Sequence, residues 1–588
     1  MNKFEKFACL LLGAGLMWYL FVESPRKASE RAKALADASA AQTEVESVVT
    51  NSQSAAVSPD KVLPPVEKKE DKVVEAKSSL PSIPEKTIVL ENDELKIELS
   101  SWGAVVKNAV LKKYARSRGP IGENNPPVAF DFKSSPLGAL EGVEGASAYS
   151  SFEILSSSSN EVVFANSVVK RTVKIDSGYI VSYSDEFSGA APKNSSVSLG
   201  VIAMGESEND LLSVDSLQIL GSKSEVVHHS DDDSPLKPYL VGGLSGGCSG
   251  SKSAEGMGQS IKSEVQLPQK WIAVKNRFFV SALASSDSPI SGFSAVVQRD
   301  MTSANYKPSS VAVKANIAGE SLSRTMKFYV GPKKQSLLWD LGMKDVMEFG
   351  MWRWICYPVV WVLNFFNSII PNYGIAIILL TILVRLIFWP LTHKSTVGMK
   401  KMQELQPKMK AIQAKFKDNP QRLQQETWAL YRSEKVNPMS SCLPMLVQIP
   451  VFIALFNVLR SAVELRYAPF LWIGDLSEPE GLLAAYLPFG GLNILPILMA
   501  VSTALQSAFT PSTGDKNQQK MMMVIMPVMM LVMFYSFPSA LSLYWFLSNL
   551  FSIVQMWCIR RKTAKEQALV TPVEVIDPPQ TRQMRRHG

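Results

Sequence analysis

Two hydrophobic rhythms divide the chain. Over residues 87–334, apolar and polar side chains alternate in short runs such as "ELKIEL", "EVVFA", "VVKRTVKI", "YIVSYS" and "RFFVSALA", separated by Gly, Ser, Asp and Pro. A period of two is that of half-buried strands, so this stretch is predicted to be a large antiparallel β-sandwich. Beyond it the alternation gives way to long apolar blocks at residues 352–370, 373–391, 442–459, 492–509, 521–537 and 541–559. At about 1.5 Å per residue, helices of this length approach the thickness of a hydrocarbon core, about 30 Å.

Another apolar run, residues 7–22, follows Lys3 and Lys6 and extends about 24 Å as a helix. A cleaved signal peptide is the alternative reading. However, Glu23, Arg26, Lys27, Glu30 and Arg31 come before any small-residue cleavage site, so residues 1–27 are read as an uncleaved transmembrane anchor. Residues 28–86 are rich in Ala, Ser, Glu, Lys and Pro with almost no aromatics, too polar to bury a core, and read as a disordered periplasmic tether.

Charge decides the topology. Of 588 residues 46% are hydrophobic, and the formal net charge of +8 is concentrated in short segments of the last third. Residues 394–435 hold ten Lys or Arg against four Asp or Glu, and the tail opens with Arg560, Arg561 and Lys562, so both segments belong in the cytoplasm. If the anchor and all six later blocks crossed, the tail would end outside. Block 352–370 carries Arg353, Pro358, Asn364 and Asn367 among Trp and Phe, and is read as an interfacial amphipathic helix within a region spanning 335–371. Crossings are then expected at 372–391, 440–461, 491–510, 520–537 and 541–559 in addition to the anchor. Residues 462–490 form a periplasmic loop and 511–519 a cytoplasmic one. A basic tail occupies 560–588, and both termini are cytoplasmic. The fold class is therefore a polytopic α-helical membrane protein with six transmembrane helices and a large periplasmic all-β sandwich domain.

Between the second and third crossings, residues 392–439, Met402, Leu405, Met409, Ile412 and Phe416 step by 3, 4, 3, 4, the seam of a helix packed on a partner. Asn419 and Pro420 supply an N-cap and a first helical position, and Leu423, Leu430 and Tyr431 give a returning helix its contact. Pro407 should kink the first helix. The expectation is a cytoplasmic hairpin whose lysines, Lys400, Lys401, Lys408, Lys410, Lys415 and Lys417, face an anionic surface such as lipid headgroups or a ribosome. A solvated charged linker is the plainer alternative.

Within "IILLTILVRLIFWP", Arg385 puts a permanent cation into an apolar block, with Thr381 and Trp389 one turn away on the same face. An arginine at this depth can snorkel to the interface. Yet Gln448, Asn457, Gln506, Ser507, Ser548 and Asn549 add polar groups inside other blocks, and no Asp or Glu lies inside any crossing. A wet cavity holding an arginine without a fixed counter-ion is the expectation.

The five cysteines, Cys9, Cys248, Cys356, Cys442 and Cys558, are scattered and offer neither a disulfide framework nor a Cys metal site. "HHSDDD", residues 228–233, is a metal cluster or a solvated loop, and is read as the loop. "GGCSGSKS", residues 246–253, lacks the Gly-Lys pair of a phosphate loop. No cofactor or metal is expected.

The strings "TILVRLIFWPLT", "LQPKMKAIQAKFKDNPQRLQQETWALYRSEKVNPMSSCLPMLVQIPVFIALFNVL", "SAVELRYAPF" and "FPSALSLYWFLSNLFSIVQ" resemble the YidC family of bacterial membrane protein insertases, over roughly residues 352–559. The resemblance implies a non-enzymatic insertase of the bacterial inner membrane with a five-helix core. Its hydrophilic groove would open to cytoplasm and lipid and close toward the periplasm. It places the groove arginine on Arg385, the groove threonine on Thr381 and the aromatic pair of the last helix on Tyr544 and Trp545. Gln448, Gln506 and Ser548 complete the expected groove. The second aromatic is a tryptophan where the family has a tyrosine. Ala540 replaces the Gly after "FPS", and Ser440 and Ser441 replace a Gly pair. Implied partners are nascent membrane proteins, the ribosome, the Sec translocon and the phospholipid bilayer, with no specific nucleic-acid sequence. Two rivals are a secondary transporter using the arginine-bearing bundle and a sugar-active enzyme in the β domain. The first lacks paired inverted halves, and the second lacks paired catalytic carboxylates in a recognisable setting.

Overall fold

The computed structural model of the chain describes residues 84–189, 192–202, 212–221, 223–229, 260–299, 308–417, 419–434, 436, 443–482, 491–509 and 516–569. The anchor, nearly all of the tether, the glycine-rich loop 246–253 and the tail beyond residue 569 lie outside the described residues.

The alternating region forms strands as its period predicts. β1 (Thr87–Glu91), β2 (Leu95–Ser100), β3 (Val105–Ala115) and β4 (Pro127–Asp131) make a four-stranded sheet in that order. The second sheet comprises β5 (Leu140–Glu141), β6 (Glu153–Ser157), β7 (Glu161–Ala165), β8 (Val169–Ile175), β9 (Ile180–Phe187), β10 (Asn194–Ile202) and β11 (Ser213–Leu220), then β12 (Lys223–His228), β13 (Ser260–Val265), β14 (Gln269–Lys275), β15 (Phe279–Ser286), β16 (Ile290–Arg299), β17 (Pro308–Ala318) and β18 (Ser323–Pro332). Its order is β5-β10-β17-β16-β14-β15-β18-β9-β8-β7-β6; β11 joins at β14, carrying β12, and β13 joins at β16. The ladders are antiparallel throughout, so one face of each sheet is free to be apolar.

Three charges occupy inward positions of that core. On β8, Val169, Arg171, Val173 and Ile175 point inward, and on β9, Val181, Tyr183, Asp185 and Phe187 do. The register sets Arg171 opposite Asp185, and Asp185 opposite Arg324 of β18. Arg171 donates from Nε and Nη2 to the Asp185 carboxylate at 2.6 and 2.9 Å, and from Nη1 to the Gly138 carbonyl at 2.8 Å. Arg324 donates to Asp185 at 3.1 Å and to Ser195 Oγ at 2.7 Å. Burial alone would raise the Asp185 pKa, but the two guanidiniums outweigh it and hold the carboxyl below its usual range. Gly138 has φ +82°, and a Cβ there would meet the Tyr183 ring at 2.5 Å, so only glycine lets this carbonyl reach Arg171.

A second buried cluster ties the sandwich to the helices. Lys275 of β14 donates to the Val346 carbonyl at 3.0 Å and pairs with Asp215 of β11 and, at 2.8 Å, with Glu348. His228 Nδ1 lies 3.2 Å from Asp215 and 3.7 Å from Glu348. The expected solvated loop at "HHSDDD" is thus corrected for its two histidines. His228 closes strand β12, while His229 is buried against the Phe293 ring and pushed down to about 4 chiefly by burial; Asp231, Asp232 and Asp233 lie outside the described residues. The Asp215, His228 and Glu348 ligand atoms approach within 4.8 Å of one another, but the Lys275 ammonium already serves both carboxylates as their cation. Burial would raise Glu348, and Lys275 and Lys333 override it, pulling its carboxyl down to about 2.

The Asp215 carboxylate, 3.2 Å away, raises the His228 pKa. A raised folded-state value means the contribution is complete below the unfolded value, about 6.5, and disappears as pH climbs through the folded one. Unfolding temperature measured on the full chain is therefore expected to show a gap between wild type and His228→Ala at pH 6. That gap, up to about 1 kcal/mol, or about 2–4 °C, should shrink at higher pH. A pH-independent gap would exclude the charge contribution.

After β18 the chain enters α1 (Gln335–Asp340), two 3-10 turns (Lys344–Met347 and Gly350–Trp352), α2 (Arg353–Ile369), α3 (Tyr373–Glu404), α4 (Gln406–Lys415), α5 (Pro420–Ser433), α6 (Leu443–Ser461), α7 (Ile494–Phe509), α8 (Lys516–Phe534) and α9 (Ser539–Leu569). The helix α2 coincides with the block expected to lie at the interface, and its exposed side mixes Arg353 and Ser368 with large apolar side chains. Cys356, Val359, Val360 and Leu363 are buried, while Trp354 and Trp361, 66% and 65% exposed, lead an outward ridge with Phe365 and Ile369. Its Asn364 accepts from the Tyr373 hydroxyl at 3.3 Å.

The α3 helix does not stop at residue 391 but continues to Glu404 with Pro390 inside it, about 48 Å in all. The hairpin seam follows. Met402 and Leu405 are buried, Met409, Ile412 and Phe416 are half-buried, and Tyr431 donates to Met409 Sδ at 2.9 Å. The break falls at Leu405, with Pro407 in the first turn of α4 where its missing N–H costs nothing. Asn419 caps α5, accepting from the Arg422 amide at 3.1 Å. Among the described residues, Tyr373–Glu404 and Ser539–Ile559 are long and apolar enough to cross a membrane, and Leu446–Ser461, Ile494–Phe509 and Met523–Phe534 are shorter apolar helices. By that measure two of the five expected crossings that fall among the described residues are present.

Candidate functional site: a polar seam among apolar helices

The β domain fixes one end of the bundle. Arg277 donates to the carbonyl of Arg460 at 2.6 Å, to the carbonyl of Ser477 and to Glu478, and Arg466 donates to the carbonyls of Ala115 and Arg116 at 2.7 and 3.1 Å. The chain after α6 is thereby held between sandwich and helices. The first turn of α9 is tied to it, Ser539 donating from backbone and side chain to the Glu478 carbonyl. Nearby, Glu480 accepts from the amides of Ile494 and Leu495 at the start of α7. Asn372 caps α3, accepting from the Ile375 amide at 3.2 Å. A Cβ on Gly374 would lie 2.1 Å from the Phe470 ring, so the start of α3 packs there only as glycine. The helices α3 and α9 consequently start at the same end and run parallel.

Along α9 the positions Tyr544, Ser548, Ser552 and Gln555 step by 4, 4 and 3, one face of a helix, and all four are buried. Arg385 on α3 lies about 18 Å below its first residue, and Ser548 about 14 Å below the start of α9, by helical rise. At that depth the Arg385 guanidinium donates from Nη2 to Ser548 Oγ. Among the described residues no carboxylate pairs with it. Gln448 on α6 donates to the Tyr544 hydroxyl at 2.9 Å. On the opposite flank of α9, Asn549 donates to Ser502 Oγ and Thr503 Oγ1 of α7 at 3.0 and 2.9 Å. One further pair, Gln555 Nε2 to Thr392 Oγ1 at 2.9 Å, links α9 to α3.

Of the residues expected from sequence, Arg385, Gln448, Tyr544 and Ser548 come together in this seam, and half-buried Gln506 follows one turn after Ser502 and Thr503. Two expected residues do not join it. Thr381 is fully buried with its hydroxyl given to the Ile377 carbonyl at 2.7 Å. Trp545 turns into an aromatic cluster, perpendicular to Phe452 at 5.0 Å and 5.5 Å from Phe534. Thr392, Ser502, Thr503, Ser552 and Gln555 were missed; the 4, 4, 3 spacing through "YWFLSNLFSIVQ" was the available signal for the α9 pair. Of the hairpin lysines, Lys401, Lys408, Lys410, Lys415 and Lys417 are exposed and Lys400 is half-buried. Lys408 pairs with Glu434 at 2.6 Å, and Lys415 lies 5.4 Å from the Phe416 ring centre.

Chemically, the seam offers neutral donors and acceptors around one fixed cation. It can hold polar or anionic groups by hydrogen bonding. Among its described residues no nucleophile sits beside a base, which is the arrangement covalent catalysis requires.

Residues 365–566 match the 60Kd inner membrane protein family, and residues 245–362 match the YidC periplasmic domain family. A relative named membrane protein insertase YidC, from Prosthecochloris aestuarii, is 30% identical over 526 residues, covering 86% of this chain and 88% of its own. Another of the same name, from Syntrophobacter fumaroxidans, is 41% identical over 314 residues, 51% of this chain and 55% of its own, so there the chain spans about half the relative's length. A solved structure described as an active YidC insertase with its first transmembrane domain resolved is 19% identical, covering 80% of this chain and 92% of that one. Its TM-score of 0.33 is too low to carry an argument.

Proposed function

The chain belongs to the YidC family of membrane protein insertases, and with that membership as premise we propose that it inserts nascent proteins into the bacterial inner membrane through a hydrophilic groove between α3, α6 and α9. One observation carries the reading: among the described residues, Arg385 at mid-depth holds a neutral hydroxyl, Ser548, and no carboxylate, where a structural cation would hold one. An unsaturated cation is able to accept an acidic residue from a passing polypeptide. Carrying a polar tail through hydrocarbon costs several kcal/mol per unsatisfied group. A groove cut partway into the bilayer shortens that path and supplies hydrogen bonds along it. The client's apolar segment then leaves past α6 and α9 into lipid, where burial makes insertion downhill without ATP.

In this reading the chain crosses six times with both termini in the cytoplasm, the sandwich lies in the periplasm as scaffold, and α2 lies along the outer interface. The basic hairpin of α4 and α5 docks on the ribosome or on headgroups, and the protein works alone or beside the Sec translocon. The secondary-transporter alternative finds no support among relatives named as insertases.

Reconstitution into liposomes tests the reading. Insertion of a single-span protein without solute uptake is expected. Photocrosslinkers at Gln448 and Ser548 should capture a stalled nascent chain, whereas one at outward-facing Trp354 should not. Uptake without insertion, or equal capture from all three positions, would overturn the groove.

A further inference from the structure

The two links between α3 and α9 share a register. Arg385 and Thr392 are seven residues apart, and so are their partners Ser548 and Gln555. Seven residues are two helical turns, within about 20° of the same azimuth, so both links lie on one seam between parallel helices. The lower link sits about 29 Å along α3, close to the full thickness of the hydrocarbon core and so at its cytoplasmic edge.

The lower link also engages both polar atoms of the Gln555 amide, since Oε1 lies 3.3 Å from the same Thr392 hydroxyl that accepts from Nε2. The Thr392 hydroxyl has the Phe388 and Trp389 carbonyls of the preceding turn at 3.0 and 3.1 Å as acceptors for its single proton, and its lone pairs accept from Gln555 Nε2 at 2.9 Å. Gln555 is 5% exposed and flanked on its own helix by buried Met556 and Ile559. A buried amide in an apolar helical seam is costly to orphan, and for that reason it selects one register over its neighbours. Sliding α3 along α9 by one turn would break both links together.

We propose that Thr392 and Gln555 are positioning residues that lock the register of α3 on α9, and so set the height at which Arg385 is presented to a client. The proposal rests on the groove reading above. It assigns these two residues no contact with the client.

The test uses the full chain in liposomes and two clients identical except for a translocated tail bearing three Asp or three Asn. Thr392→Val and Gln555→Met remove the link at near-constant volume; Thr392→Gln with Gln555→Thr rebuilds it in reverse; Arg385→Gln is the reference. Each single variant is expected to lower insertion of the Asp client roughly tenfold, the scale of one charge-assisted hydrogen bond. The Asn client should stay within about twofold, and the reversed pair should recover most of the loss. Equal loss for both clients, no loss in either single variant, or a reversed pair no better than the singles would each overturn positioning. If Arg385→Gln alone discriminates between the clients, only this inference fails. If Arg385→Gln does not discriminate, the groove reading fails and takes this inference with it.

Discussion

Arg385→Ala is expected to cut insertion of clients with acidic translocated tails by roughly tenfold to a hundredfold, the range of a charge-assisted hydrogen bond lost from a site of low dielectric. Clients with neutral tails should lose much less, because the neutral donors on α6 and α9 remain. Insertion into liposomes, scored by protease protection of the translocated tail, checks both arms. Equal losses would remove the electrostatic role and leave Arg385 as a structural residue. The local geometry argues against that outcome, since Ser548 is a neutral acceptor and one short hydroxyl satisfies little of a guanidinium.

The second large effect lies in the β domain. Asp185→Ala leaves Arg171 and Arg324, 0% and 4% exposed, without the carboxylate that neutralises them. Removing one member of a buried ionic group costs about 3–5 kcal/mol. For a domain of this size that corresponds to a fall of about 10 °C or more in unfolding temperature. The pH dependence has a fixed sign. Because the folded carboxyl is held below its usual range, its contribution is present above the unfolded value, about 3.9, and is lost as pH falls through the folded value. Asp185→Asn should therefore remove a component of acid unfolding that the wild type shows. Calorimetry of the full chain between pH 3 and 7 measures both, and a variant with wild-type stability would mean the triad is neutral to the fold.

Much of this architecture was legible because each element repeats a simple period. Alternation located the strands, and blocks of nearly constant length located the helices. Asn419 and Pro420 marked the start of α5. What escaped is instructive. In "VVKRTVKI" Arg171 stands in phase with Val169 and Val173, yet a charged residue inside an alternating run reads as surface unless its cross-strand partners are known. Those partners come from β9 and β18, the latter 139 residues from Asp185. The same limit hid Gln555, whose partner lies 163 residues away. Serine and threonine are harder still, because in a helix their hydroxyls readily return to a carbonyl of the preceding turn, as Thr381 and Ser552 do. Spacing alone does not separate those that do from those that also reach a neighbour.

One consequence of the unbroken α3 concerns bilayer thickness. A rod that is still helical when it emerges among headgroups has no frayed end at that boundary, so no helix terminus with its orphaned carbonyls falls there, whether the boundary is at Thr392 or a turn beyond, although Pro390 leaves the Leu386 carbonyl without its N–H. Thinner or thicker lipid is then met by moving the boundary along the rod while α3 keeps its register on α9, which changes how His393, Lys394 and Lys400 are solvated rather than melting a turn.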